Sequence, residues 1–374
     1  MNKYKVLRVV TTMNPAAGGV ADSVRQSIDL AYHKYQVSID VLSFDDGENF
    51  LNGMNKVAFK HHSISRGVSS YAWNFEYLGW LMKNINSYNL VIFDGLWQFH
   101  ILGGFISKIK SVPYVVFTHG MLDPYFNENR FKYIKKLPFW FLFERNVLAL
   151  SKAVVFTTDN EEKKAKSSFP LAAWNSDVCT LGVSPEVGVN YSPDGNVVFL
   201  SRIHPKKGLE LLISSVSIMS ESNLEFEIYG PGDGDYIKSL KKFCVSRSVG
   251  DRFFWRGGIW GKDKWNVLSN SSLFVLTSYQ ENFGIAVAEA LSVGVPVLIT
   301  NNIDISGFVL DYGAGFVVDA DPVSIANALD QWSRMSFEDR ILMSDRAFIC
   351  YQECFSIERS VGQLCDLVIK YSRF

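Results

Sequence analysis

The sequence lacks a surplus of charge. Its 37 Lys and Arg residues face 38 Asp and Glu residues, leaving a formal net charge of -1, so no overall field draws the chain to polyanions and nucleic-acid binding is not expected. Cysteine is scarce. Five in 374 residues make an odd set, and Cys350, Cys354 and Cys365 fall in a helical pattern without a neighbouring histidine; reduced, packed thiols of a cytoplasmic chain are the expectation, and zinc is not. Long apolar runs are missing too. The most apolar stretch, residues 90 to 109, is interrupted by Asp94, Gln98 and His100, which a bilayer-crossing helix would bury at a cost of several kcal/mol. The apolar run near the start, KVLRVVT, lacks the longer core and small-residue cleavage site of a secretory signal, so export is not indicated. No G-x-G-x-x-G follows the first strand, which leaves a nicotinamide cofactor poorly supported, and no internal repeat or low-complexity tract occurs.

What is present is a hydrophobic chain, 48% by composition, long enough for two to three domains at about 150 residues each. Short β-rich runs alternate with helical patterns. KVLRVVT precedes a helix with Val20, Val24, Ile28, Ala31 and Tyr35 at three- and four-residue steps, and VSIDVL, LVIF, PYVVF and AVVF follow as strands. The stretch 181 to 195, with two prolines and three glycines, breaks the periodicity and reads as a linker. The same grammar then restarts with NVVFLS, a helix carrying Leu209, Leu212, Ile213, Val216 and Met219, and LEFEIY, LFVL and VPVLIT. The expectation is an α/β chain of two Rossmann-like domains facing across a cleft, residues 1–185 and 190–354, with 355–374 crossing back to the first.

Ligands of parallel sheets collect beyond the carboxyl ends of the strands, so the loops there are the places to search. Gly18 and Gly19 open a helix after the first strand, either as an ordinary glycine turn or to let backbone N–H groups approach an anion. SRIHPKKG brings Arg202, Lys206 and Lys207 to a strand end before a helix, where side-chain cations and the helix dipole reinforce one another on a phosphate. In SYQENFGIAVAEALS a loop presents Glu281, Asn282, Phe283 and Gly284, and an apolar helix carries Glu289, a carboxylate that needs a polar partner. A helix running from 281 to 289 would set the two carboxylates ~12 Å apart along its axis and ~80° around it. Asp233 and Asp235 in YGPGDGD read as turn residues, as do Asp319 and Asp321, and no metal site is expected.

Taken in order, Gly18-Gly19, His119 after PYVVFT, Arg202 and Lys207 in SRIHPKKG, and the E-x7-E of Glu281 and Glu289 resemble the retaining family 4 glycosyltransferases (glycosyl transferases group 1) of the GT-B fold. THGMLDPY and GLWQ further resemble a subset that builds bacterial surface polysaccharides. The resemblance implies transfer of a hexosyl unit from a nucleotide diphosphate sugar to a saccharide or lipid-linked saccharide acceptor, with no cofactor and no obligatory metal. It places Arg202 and Lys207 on the donor diphosphate and Glu289 on the ribose. Glu281, Asn282 and the backbone of Phe283 and Gly284 fall at the donor sugar, His119 near the transferred sugar, and Gly18 and Gly19 at the phosphate. His119, Arg202, Lys207 and Glu281 are thus the catalytic candidates. A sugar-nucleotide epimerase or a catalytically silent binding protein on the same fold are the alternatives. The basic aromatic stretch 130–145 has two readings: contact with an anionic bilayer through Lys132, Lys135 and Lys136, or an amphipathic helix packed on its own domain.

Overall fold

The computed structural model describes residues 4–14, 19–48, 50–51, 59–67, 71–127, 130–171, 173–186, 188, 191–220 and 224–373. Two compact units divide the chain: Met1–Gly182 together with Ile357–Phe374, and Val183–Ser356.

The first unit is built on seven strands: β1 (Tyr4–Val9), β2 (Val37–Ser43), β3 (His61–Ser63), β4 (Leu90–Asp94), β5 (Tyr114–Phe117), β6 (Ala153–Phe156) and β7 (Ser176–Val178). They pair in parallel in the order β3-β2-β1-β4-β5-β6-β7. β4, β5 and β6 are wholly buried, which is why LVIF, YVVF and AVVF are continuous apolar runs rather than alternating ones. Helix Gly19–Tyr35 covers one face with Val24, Ile28 and Ala31, all fully buried. Helix Ile357–Tyr371 joins it there, contributing Val361, Leu364, Cys365 and Val368 at helical spacing to the same core.

The second unit repeats the plan with β8 (Val197–Leu200), β9 (Phe226–Tyr229), β10 (Phe253–Gly257), β11 (Leu273–Leu276), β12 (Val297–Thr300) and β13 (Gly315–Val318), in the order β10-β9-β8-β11-β12-β13. All these pairings are parallel. Helix Leu209–Ile218 buries Leu212, Ile213 and Val216 as its spacing predicts, and ends one residue before Met219. Val183, bridged to Ser356, begins this unit inside the stretch read as a linker.

In each sheet the order reverses direction once, at β1/β4 and at β8/β11. These are the topological switch points, where the loops leaving adjacent strands diverge and make room for a ligand. The five cysteines are buried free thiols. Among the described residues no helix is long and apolar enough to cross a membrane.

Candidate active site

At the β8/β11 switch point, two loops are held together by hydrogen bonds to backbone carbonyls. The Tyr279 N–H donates to the Lys206 carbonyl at 2.9 Å, and the Thr277 hydroxyl donates to the Gly208 carbonyl at 2.8 Å. Gly208 has φ +64°, and a Cβ there would collide with the Thr277 carbonyl, so this close approach requires glycine. The result brings Lys207 beside Glu281: the ammonium pairs with a carboxylate oxygen of Glu281, both side chains more than four-fifths buried. Arg202 lies in the same loop, exposed, and no partner for its guanidinium is found among the described residues.

Glu281 does not belong to the helix that carries Glu289. It bridges to Ile303, and the helix Ile285–Ser292 begins only after Gly284, whose left-handed φ of +79° turns the chain. The separation expected from one continuous helix therefore does not hold. Phe283 points into the core, 5% exposed and edge-on to Phe355, so it can meet a ligand only through its backbone. Asn282, half-buried, stands between it and Glu281. The polar partner that Glu289 needs is Lys264, whose Nζ donates to Oε1 at 2.7 Å from helix Gly261–Ser269. Asp233 caps helix Gly234–Ser246, its carboxylate accepting the N–H groups of Asp235 and Tyr236, and Asp321 caps Pro322–Arg334 in the same way.

In the first unit a second polar group sits at the ends of β4 and β5. Arg8, next to the carboxyl end of β1, donates to Asp94 from Nε at 2.7 Å and from Nη2 at 2.8 Å. The other partner of Asp94 is His119, Nε2 to Oδ1 at 2.7 Å. Burial pushes the Asp94 carboxyl up, but the Arg8 charge and the bonds from Arg8 and His119 outweigh it and hold the group well below the usual carboxylate range. His119 Nδ1 is buried, with no hydrogen-bond partner among the described residues. His119 itself has φ +47°, and the turn is fixed from below by Glu161: Thr118 Oγ1, Gly120 N–H, Thr157 N–H and Thr157 Oγ1 all donate to its carboxylate at 2.6–2.7 Å. Gly19 is the first residue of its helix; Gly18 lies outside the described residues.

Residues 185–347 match the family glycosyl transferases group 1. The second unit is a group 1 glycosyltransferase domain. The chain as a whole has the GT-B fold: it superimposes on Anabaena HepE, solved in complex with UDP, with a TM-score of 0.74 at 16% identity, covering 98% of this chain and 100% of that one. The sulfoquinovosyl transferase of Arabidopsis thaliana is 28% identical over 206 residues, 52% of this chain and 39% of the relative. An uncharacterized glycosyltransferase of Methanocaldococcus jannaschii is 24% identical over 225 residues, 55% and 56% of the two chains. The chain spans about half the length of these relatives.

Within the group 1 domain lie Arg202, Lys207, Glu281, Asn282, Phe283, Gly284 and Glu289; His119 and Gly19 lie in the first unit. Lys264 is the partner that sequence reading missed there, although a lysine on an exposed helix carries no signal of its own. Arg8, Asp94 and Glu161 were missed in the first unit. A charged residue inside the apolar run VLRVV was the available signal, because a strand buried on both faces holds an arginine only with a counter-ion.

Glu144 is a further unread group. The basic aromatic stretch is not one regular helix: Arg130–Phe139 is followed by a π-turn over Trp140–Glu144 and then by helix Arg145–Leu150. The wider turn brings Glu144 inside, where Oε1 accepts the Trp97 N–H at 2.9 Å and Oε2 is buried with no partner among the described residues. Burial pushes its carboxyl up to about 8, the Trp97 bond opposing. A folded-state value above the unfolded one favours the protonated form, so this contribution to stability is complete below about pH 4.5 and is lost as pH rises to about 8. Buried His100, held down at about 4 by desolvation, acts in the opposite sense and loses stability as pH falls below 6.5. Between pH 6.5 and 8 Glu144 acts without that offset. Glu144→Gln is therefore expected to flatten the fall in unfolding free energy over this interval, by about 1.4 kcal/mol per pH unit, in urea titrations at fixed temperature. An unchanged slope would show that Glu144 is ionised in the folded chain.

Proposed function

We propose that the chain is a retaining glycosyltransferase that moves a hexosyl unit from a nucleotide diphosphate sugar to a saccharide or lipid-linked saccharide acceptor. The observation that carries this reading is the β8/β11 switch point of a group 1 domain, where Lys207 pairs with Glu281 just before helix Leu209–Ile218 and Arg202 is exposed in the same loop. Two cations in one loop, with the backbone N–H groups of the helix start, would stabilise the charge that builds on a departing diphosphate. HepE, with the same fold, was solved with UDP, which makes UDP the first nucleotide to try. Glu289 would take the ribose hydroxyls, and Glu281 with the Asn282–Gly284 backbone the donor sugar. In the first unit, His119 would approach the transferred sugar, oriented by Asp94.

The reading extends to synthesis of a bacterial surface polysaccharide at the cytoplasmic face of the membrane. Phe131 and Ile134, 81% and 53% exposed, stand with exposed Lys135 on helix Arg130–Phe139, and Phe141 and Leu142 are exposed in the next turn. An apolar surface with a cation suits an anionic bilayer. Lys136 instead covers the Trp97 ring at 4.8 Å, and the Lys132 side chain lies outside the described residues.

The test is donor turnover without metal. With UDP-hexose as substrate, hydrolysis or transfer is expected to persist in EDTA, since cations and helix N-termini do the work of an ion in this design. Complete loss in EDTA, with rescue by magnesium or manganese, would reject metal-independent transfer; absence of turnover with every nucleotide sugar would reject the enzyme reading.

A further inference from the structure

We propose that Glu144 is a positioning residue for the turn that carries His119, acting through Trp97, an inference whose bearing on transfer rests on the reading above. Three features that work against stability meet at one hydrogen bond. Trp97 has φ +65°, a left-handed conformation that bulky side chains rarely adopt. The π-turn Trp140–Glu144 departs from the regular helices on either side of it. The carboxyl that it turns inward is fully buried, with the Trp97 N–H on Oε1 and no partner for Oε2 among the described residues. An apolar side chain at 144 would avoid the cost of burying that carboxyl, but it would leave the main-chain N–H of a left-handed Trp97 without this acceptor. Backbone held against its preferences is found where a site needs one geometry.

What the bond fixes is read from the neighbours of Trp97. The indole Nε1 donates to the Met121 carbonyl at 3.1 Å, and the N–H of the preceding Leu96 meets Met121 Sδ at 3.1 Å. Lys136 Nζ over the indole at 4.8 Å, and the Phe169 ring with its centroid 5.0 Å away, keep the side chain in that place. Met121 closes the His119 turn, its N–H donating to the Thr118 carbonyl at 2.9 Å. Glu161 ties Thr118 and Gly120, and Trp97 ties Met121, so the chain is held on both sides of His119 while Asp94 holds the imidazole. Glu161 acts on this turn directly and Glu144 at one remove. With φ +47° His119 is left-handed too, so a turn released at Met121 is free to relax and to carry the imidazole with it.

The experiment joins NMR of the His119 imidazole, its ring signals assigned by His119→Gln, with steady-state turnover of UDP-glucose by the full-length chain. In Glu144→Leu the His119 signals are expected to shift and kcat to fall roughly tenfold or more, while KM for UDP-glucose holds within about twofold. Glu144→Gln keeps an acceptor oxygen for the Trp97 N–H and is expected to restore most of both. Trp97→Phe cuts the path at the indole N–H without touching Glu144; it is expected to match Glu144→Leu, with little further loss when the two are combined, and it carries the test should the leucine variant fail to fold. Wild-type His119 signals in folded Glu144→Leu or Trp97→Phe would overturn the positioning role. So would a folded Glu144→Gln chain as impaired as Glu144→Leu. A wild type that turns over no nucleotide sugar would overturn the transfer reading alone, because the His119 signals still decide whether Glu144 positions the turn.

Discussion

Lys207→Ala is expected to weaken nucleoside diphosphate binding by one to two orders of magnitude, the largest loss from any single side chain of the second unit. A charge-assisted hydrogen bond to phosphate contributes about 1.5–3 kcal/mol, or roughly ten- to a hundredfold in affinity. The ion pair with Glu281 adds to the effect. Without Lys207 the Glu281 carboxylate, about four-fifths buried, would stand uncompensated, and on the proposed reading would repel the diphosphate. Glu281→Gln is the counterpart: it removes that repulsion, so affinity for free nucleotide is expected to hold or rise, while on the proposed reading kcat falls because a neutral amide replaces the carboxylate at the donor sugar. Calorimetry with UDP and steady-state kinetics on both variants make the comparison. Unchanged UDP affinity in folded Lys207→Ala would remove this lysine from the diphosphate site.

Asp94→Ala is expected to have the largest effect on stability. Asp94 is the shared anion of two buried groups, and its loss leaves the Arg8 guanidinium, 3% exposed, without a counter-ion. Breaking one side of a buried pair costs about 3–5 kcal/mol, which for a unit of this size lowers the midpoint of thermal unfolding by roughly 10 °C. The cost lies in the stranded charge and not in the lost attraction. Arg8→Met combined with Asp94→Leu should therefore recover much of it, and a double-mutant cycle by thermal and urea unfolding measures the difference. Recovery of stability without recovery of turnover would separate the structural work of the pair from its hold on His119. A single Asp94→Ala chain as stable as wild type would show that Arg8 finds another anion.

Much of this arrangement is visible in the amino-acid order, and the parts that are not share a cause. The buried central strands announce themselves: LVIF, YVVF, AVVF, VVFL and LFVL are runs that only a sheet covered on both faces can hide. β3 and β7 are three-residue strands with sequences HHS and SDV, half-buried, and no local preference marks them; pairing with β2 and β6 makes them strands. Site residues divide the same way. Lys207, Glu281 and Glu289 sit in local motifs with recognisable order. Arg8 reaches Asp94 across 86 residues of chain, Glu161 reaches Thr118 across 43, and Lys264 reaches Glu289 across 25. Glu144 was hidden by its neighbours: within RFKYIKKLPFWFLFER it reads as one charge among many, and only the π-turn brings it inward.

The helix Ile357–Tyr371 has a consequence for the way the protein is made. Ile357, Val361, Leu364, Cys365, Leu367 and Val368 belong to the core that includes Tyr4, Val24, Ile28 and Ala31, yet the entire second unit separates them in the chain. On the ribosome, residues 183–356 emerge complete before the first unit receives the helix that seals its sheet. Until then the apolar face of Gly19–Tyr35 lacks part of its cover, while the second unit already has everything it needs to fold. Synthesis thus runs first to last, but the closing of the cores runs last to first. The same order makes a fragment cut after Gly182 a risk for aggregation, whereas a fragment spanning 183–356 carries its core intact.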